Sequence, residues 1–246
     1  MTSPEHRAMR VLMVPGLGLG TESWTPLLDS LEESGRLDGA LTTTALVSGY
    51  GHPRGLDDSL APDVLARGIL DRGDVGPASL VIALSAGCQV AVRIARRAPD
   101  GVIGLVLIGP TTDPRAVTWP RLMHRWLRTA RFEPLHQIPV LLRQYWRTGP
   151  STMVRAMNQA RRDRIDADLP HVNCPVLIIR GAHDHISPED WTQTLERLLE
   201  TSSEVTPIRE SVTLSSGAHI IPYTHADAVA RIIIDFLPQV RPQRDG

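Results

Sequence analysis

The chain has 246 residues, 42% apolar and 22% charged, enough for one large α/β domain or two small ones with a sizeable core. A formal charge of −1 excludes a global pull toward nucleic acid or a membrane, and basic residues that are all arginine exclude lysine Schiff-base chemistry. Two cysteines exclude a disulfide framework and point to a reducing cytoplasm, and no apolar run approaches the roughly 20 residues that span a bilayer.

Residues 1–9, MTSPEHRAM, contain no apolar segment that reads as a targeting signal. The first strand is predicted over Val11–Val14 and runs into Gly16, Gly18 and Gly20. A dinucleotide fingerprint needs G-x-G-x-x-G. Its third glycine falls on Thr21 in one register and on Ser23 in the other, so both registers fail. A Walker-type phosphate loop needs a lysine, and the chain has none. The N–H groups of this turn are left to face some other negative group.

A helix is predicted over Trp24–Ser34, then a strand over Leu41–Val47 and a helix over Ser59–Arg72. The next strand, Ser79–Leu84, meets a helix over Ala86–Ala98, and a strand follows over Val102–Ile108. Further on come a strand at Val176–Ile179, a helix at Pro188–Glu200, a strand at Ser211–Leu214 and a helix at His225–Leu237. Most strand runs are continuously apolar, as in parallel sheets buried on both faces. Ser187-Pro188-Glu189-Asp190 and Thr224-His225-Ala226-Asp227 carry helix-start signals. This alternation predicts a doubly wound, mostly parallel α/β sheet of about six strands.

The rhythm breaks between 113 and 170, where helical stretches are divided by Pro134, Pro139, Gly149 and Pro150. The expectation is a core domain of residues 1–112 and 171–246 with a helical cap at 113–170. The cap holds Trp119, Trp126, Phe132, Tyr145 and Trp146, half of the ten aromatic residues, in under a quarter of the chain. Trp119, Met123, Trp126, Tyr145, Trp146 and, from the core, His185 are therefore expected to line an apolar substrate pocket. The cap's eleven arginines against five acids are either solvated helix faces or an attraction for acidic substrates or an acyl-carrier partner.

The chemistry concentrates at Val81-Ile82-Ala83-Leu84-Ser85-Ala86-Gly87-Cys88, where a strand meets a helix with one serine at the junction. Small residues two before and two after that serine let strand and helix approach closely. A serine there is either a nucleophile on a strained turn or a plain N-cap. A nucleophile needs a base, and the base needs an orienting acid. Asp184 follows the strand at 176–179, and His219 follows the strand at 211–214. Ser, Asp, His is the chain order that accompanies such a turn, and each residue sits at a strand's carboxyl end.

With these residues, the chain resembles the α/β-hydrolase fold superfamily from Val11 to about Leu237. Leu46-Val47-Ser48-Gly49-Tyr50-Gly51-His52 is similar to that family's D-x-x-G-x-G-x segment, with Leu46 in place of the aspartate. Ala83 replaces the first glycine of G-x-S-x-G, and Pro15 stands where the family often has histidine. The likeness starts at the glycine-turn strand, without the family's first hairpin. The resemblance implies Ser85 as nucleophile, His219 as general base and acid, and Asp184 as orienter. It also implies an oxyanion hole from the N–H groups of Leu17 and Ala86.

Asp113, at the end of another strand, is an alternative acid. His183 and His185 flank Asp184, but no carboxylate or cysteine cluster completes a metal site. His52 reads as surface, His183 as a loop residue and Cys88 as a packing residue. The expected function is a cofactor-free, metal-free serine hydrolase of an apolar ester, lactone, thioester or diketone, as a monomer or homodimer. The alternatives are a lyase, cyclase or dehydratase on the same scaffold, or a ligand-binding protein without activity.

Overall fold

The computed structural model describes residues 9–52, 59–200 and 209–240. The targeting-signal reading of residues 1–9 lies outside them except for Met9. β1 (Arg10–Val14) leads to α1 (Thr25–Glu33) and β2 (Leu41–Thr44), followed by the two-residue strands β3 (Val47–Ser48) and β4 (Gly51–His52). Next come α2 (Pro62–Asp71), β5 (Ser79–Leu84), α3 (Gly87–Arg97) and β6 (Val102–Ile108). Four helices, α4 (Trp119–Ala130), α5 (Ile138–Thr148), α6 (Pro150–Ala160) and α7 (Ile165–Asp168), precede β7 (Val176–Gly181). The described chain ends with α8 (Glu189–Glu200), β8 (Arg209–Leu214), α9 (Ile221–Thr224) and α10 (Ala226–Val240).

The main sheet has six strands in the order β2-β1-β5-β6-β7-β8, and every pairing is parallel. All six residues of β5 are buried, because alternate side chains feed two separate cores. Val81 and Ala83 pack with α2, α3 and α8, while Leu80, Ile82 and Leu84 pack with α1 and α10. Each such Leu, Ile or Val contributes about 1.5–3 kcal/mol by leaving water. The chain goes from β1 to β2 on one side and then to β5 on the other. That reversal opens a crevice at the carboxyl ends of β1 and β5, where doubly wound sheets bind ligands.

Two elements differ from the sequence reading. The Leu41–Val47 run stops at Thr44, and Leu41 is 58% exposed, because β2 is an edge strand with one neighbour. Val47 instead joins the small β3–β4 pair, whose turn needs the positive φ of Gly49 and Gly51. The helix-start signals mark α8 and α10 to within two residues, but their side chains work elsewhere. Ser187 Oγ donates to the Pro110 carbonyl at 2.9 Å, and Asp227 accepts from Ser30 Oγ at 2.7 Å.

The segment between β6 and β7 is helical. Its buried positions include Thr129, Gln137, Gln144, Thr148 and Thr152, while Trp119, Met123, Trp126, Leu127, Leu142 and Trp146 stand exposed. Among the described residues, no helix is long and apolar enough to cross a membrane.

Candidate active site

Ser85 is the first residue of the two-residue turn, Ser85-Ala86, between β5 and α3, with φ +56°. A non-glycine residue in this left-handed region carries roughly 1–3 kcal/mol of strain, held by its surroundings. The Ser85 N–H donates to the Ile108 carbonyl at 2.8 Å. A Cβ on Gly87 would lie 2.4 Å from the Pro15 carbonyl oxygen and 2.6 Å from that of Val14, so only glycine lets α3 start against β1. Gly16 lies on the other side, where a Cβ would sit 3.2 Å from Ser85 Cβ. These contacts turn the Ser85 side chain out at the crevice.

His219, in the loop after β8, brings Nε2 to 2.8 Å from Ser85 Oγ and Nδ1 to 2.7 Å from Asp184 Oδ2. The other oxygen of Asp184 accepts from the N–H groups of Ile186 and Ser187, each at 2.9 Å. These bonds fix the carboxylate and leave Oδ2 for the imidazole. The geometry permits proton transfer from the serine to a histidine that a buried carboxylate orients.

A sequence profile described as the alpha/beta hydrolase family matches residues 11–232. The chain belongs to the alpha/beta hydrolase family. At the level of fold it is similar to a hydrolase from Oleispira antarctica, with a TM-score of 0.74 and 15% identity over 94% of this chain and 91% of that one. The enol-lactonase from Burkholderia xenovorans LB400 gives a TM-score of 0.69 at 19% identity, over 94% and 92% of the two chains. The bromoperoxidase from Bacillus anthracis gives 0.69 at 17%, with the same coverage. No curated protein matches the sequence.

Several residues of this alpha/beta hydrolase that hold the crevice together carry no motif. Glu133, just after α4, accepts the His219 N–H at 2.7 Å and the Ile220 N–H at 3.0 Å through Oε1. Its Oε2 accepts from Gln137 Nε2 at 2.7 Å. Burial alone would lower the His219 pKa, but the Asp184 and Glu133 carboxylates outweigh it and the value is raised. Arg180 is buried on β7, where burial lowers its pKa, and its guanidinium donates to the carbonyls of Ser187 and Asp184, each at 3.0 Å. Gly109 has φ +54°, and a Cβ there would lie 3.0 Å from Asp184 Oδ2 and 3.1 Å from the His219 ring.

The glycine turn is tied down from outside the sheet. Gly18 N–H donates to the Gly49 carbonyl at 2.8 Å, and Gly20 N–H donates to Gln144 Oε1 at 2.5 Å. Thr148 Oγ1 donates to the Gly18 carbonyl at 3.2 Å. Among the described residues, the N–H groups of Leu17 and Ala86 take no protein acceptor.

Of the six residues expected to line a pocket, Tyr145 meets this turn, since a Cβ on Gly18 would lie 2.6 Å from its ring. Burial, and then the charge of Glu133, pushes the Tyr145 phenol up to about 12. His185 tilts against Phe132 at 6.0 Å, its pKa lowered by burial and by Arg128 and Arg131. Trp119, Met123 and Trp126 are 40–51% exposed on α4, and Trp146 is 80% exposed on α5. Trp119 lies under the Arg161 guanidinium at 5.1 Å.

Asp113 is not hydrogen-bonded to the histidine. It is buried and bonded to Arg115 and Arg125, which hold its carboxyl below the usual range despite burial. His183 stacks on Phe132 at 4.3 Å, His52 is exposed, and the Cys88 thiol is buried against the Ala83 and Ile108 carbonyls. Among the described residues, no group of three or more His, Cys, Asp or Glu could hold a metal ion.

Proposed function

We propose that the protein is a cofactor-free serine hydrolase whose nucleophile, base and orienting acid are Ser85, His219 and Asp184. The hydrogen-bonded chain from Ser85 Oγ through the His219 ring to Asp184 carries this reading. Ser85 Oγ attacks the acyl carbonyl carbon while His219 Nε2 takes the hydroxyl proton. Asp184 stabilises the imidazolium and keeps Nε2 facing the serine. The carbonyl electrons move onto oxygen, where the N–H groups of Leu17 and Ala86 receive the negative charge. One such donor is worth about 10²- to 10³-fold in rate. Collapse breaks the bond to the leaving group, which takes the proton from Nε2. Water then attacks the acyl-serine and gives a proton to His219 Nε2; collapse breaks the bond to Ser85 Oγ, which takes that proton back, and the acid leaves.

The substrate class is an apolar ester, lactone or thioester, with the carbon–carbon bond of a diketone as a related target. Residues 113–170 serve as a cap over a core of 1–112 and 171–246, and Tyr145 supplies an apolar wall beside the glycine turn. The enol-lactonase of the same fold is in keeping with a lactone substrate.

A fluorophosphonate probe tests the nucleophile. Labelling of the wild type and not of Ser85→Ala is the expected result. Absence of labelling where a control esterase reacts removes the hydrolase reading and leaves a non-hydrolytic enzyme or a ligand-binding protein. A panel of esters, lactones, thioesters and diketones of graded size then ranks substrates by kcat/KM.

A further inference from the structure

Helix α4 carries large apolar residues on the side that faces water. Trp119, Met123, Trp126 and Leu127 recur at i, i+4, i+7 and i+8, so they share one face, and they are 40–58% exposed. Pro120, Arg121, His124 and Arg128 continue around the helix beside them, and all four are exposed. Helix α5 repeats the pattern. Ile138, Leu142 and Trp146 recur at i, i+4 and i+8, 43–80% exposed, next to Arg143 and Arg147. The inward sides mix polar and apolar contacts: Thr129 accepts from the His185 N–H, Gln144 and Thr148 hold Gly20 and Gly18, and Leu141 and Tyr145 pack against the core. Both apolar stripes therefore face water. Scattered exposed apolar residues are ordinary, but continuous stripes on successive helices mark an interaction surface.

The charge beside the stripes limits what can cover them. Among the described residues, Arg121, Arg128 and Arg131 on or just after α4 form no ion pair with a carboxylate, whereas Arg115 and Arg125 pair with Asp113, and Arg143 and Arg147 on α5 pair with Glu22. A recess of 370 Å³ lined by Arg115, Pro120, Arg121, His124 and Arg125 opens on the flank of α4 and has room for a phosphate head group. A two-fold contact with a second copy would set these arginine rows against each other. Helices with tryptophan and leucine on one face and arginine beside it suit the boundary between lipid head groups and acyl chains.

We propose that α4 and α5 form a docking face for an anionic lipid surface, with the tryptophans at head-group depth and the arginines against lipid phosphates. This goes beyond the hydrolase reading and does not rest on it, because binding is read without turnover.

The test is co-sedimentation of the full chain with phosphatidylcholine vesicles with and without 30% phosphatidylglycerol. The expected result is binding to the anionic vesicles alone, weakened by salt, with each contributing arginine worth roughly fivefold in partition. Leu127→Glu with Leu142→Glu lowers that partition at least tenfold while circular dichroism stays unchanged. If the double variant does not fold, quenching of wild-type tryptophan emission by brominated phosphatidylglycerol decides, and absence of quenching overturns the proposal. It is equally overturned by no wild-type binding at low salt, by equal binding to neutral vesicles, or by full binding in the folded variant. Light scattering that shows a dimer disrupted by the variant, or binding to an acidic acyl carrier protein in place of vesicles, also overturns it.

Discussion

The sheet and the helical segment at 113–170 differ in what they bury. In the sheet, buried positions are mostly apolar, with Ser79 and Arg180 as exceptions, and most of β5 and β6 lies in the two cores. In the segment, buried positions such as Thr129, Gln144 and Thr148 are polar, and many large apolar side chains face out. The sheet is stabilised by area removed from water. The segment combines apolar packing at Ala156, Ala160, Ile165 and Leu169 with hydrogen bonds to loops at the site, each worth about 1 kcal/mol net. Hydrophobic packing gives the sheet rigidity, which fixes where the strand ends present their residues. The segment adds those four residues to one core, and its hydrogen bonds reach the loops at the site.

The proposed mechanism puts the chemistry at the strand ends and the adjustment of it in the segment. On that proposal Ser85→Ala has the largest expected effect, a fall in kcat on the order of 10⁶-fold measured by ester turnover. Next comes a comparison of two buried aspartates. Asp184→Asn should lower kcat about 10⁴-fold by disturbing the imidazole tautomer. Asp113→Asn, in the segment's ion-pair cluster, should cost about 2 kcal/mol of stability and less than tenfold in rate. Equal rate losses for the two would erase the division of labour.

Gly87→Ala tests the rigidity of the sheet side. Its methyl group would strike backbone oxygen atoms of Val14 and Pro15, so a loss of about 2–3 kcal/mol is expected. In a chain of this size that is a drop of roughly 4–12 °C in thermal midpoint. Glu133→Gln tests the segment's influence on the base. In the proposed mechanism His219 acts as the neutral base, so kcat/KM is expected to rise with pH through its raised pKa. Removing the Glu133 charge should move that acid limb to lower pH, with the plateau rate within about tenfold of wild type. The raised pKa acts on stability with the opposite sign. Its contribution is full below the unfolded-state pKa and is lost as pH rises through the folded one. Trp146→Ser, on the outer face, should change stability by no more than about 0.5 kcal/mol in chemical denaturation.

The two regions also differ in how far they can be read from sequence. Strands buried on both faces leave continuous apolar runs, so β5 and β6 are legible end to end. Ser85, Asp184 and His219 are legible because each falls in a short loop after such a run. Glu133, Gln144, Thr148 and Arg180 are not, because their partners are mainly backbone groups, and a backbone group leaves no residue-type signal. Tyr145 and Trp146 show the limit of composition. They are adjacent, but about 100° of helix rotation separates them, and one meets the glycine turn while the other faces water. The net charge is a similar average. A value of −1 for the chain conceals a segment with eleven arginines and five acids.

The attachment at Glu133, Gln144 and Thr148 limits how far the enzyme can be treated as modular. A chimera that replaced residues 113–170 with a relative's segment would remove the acceptor for the His219 N–H and the anchors of Gly18 and Gly20 together. A graft that keeps those three side chains in place can change specificity and preserve the machinery. One chosen only for the shape of its pocket would leave the histidine loop and the glycine turn without their outer support.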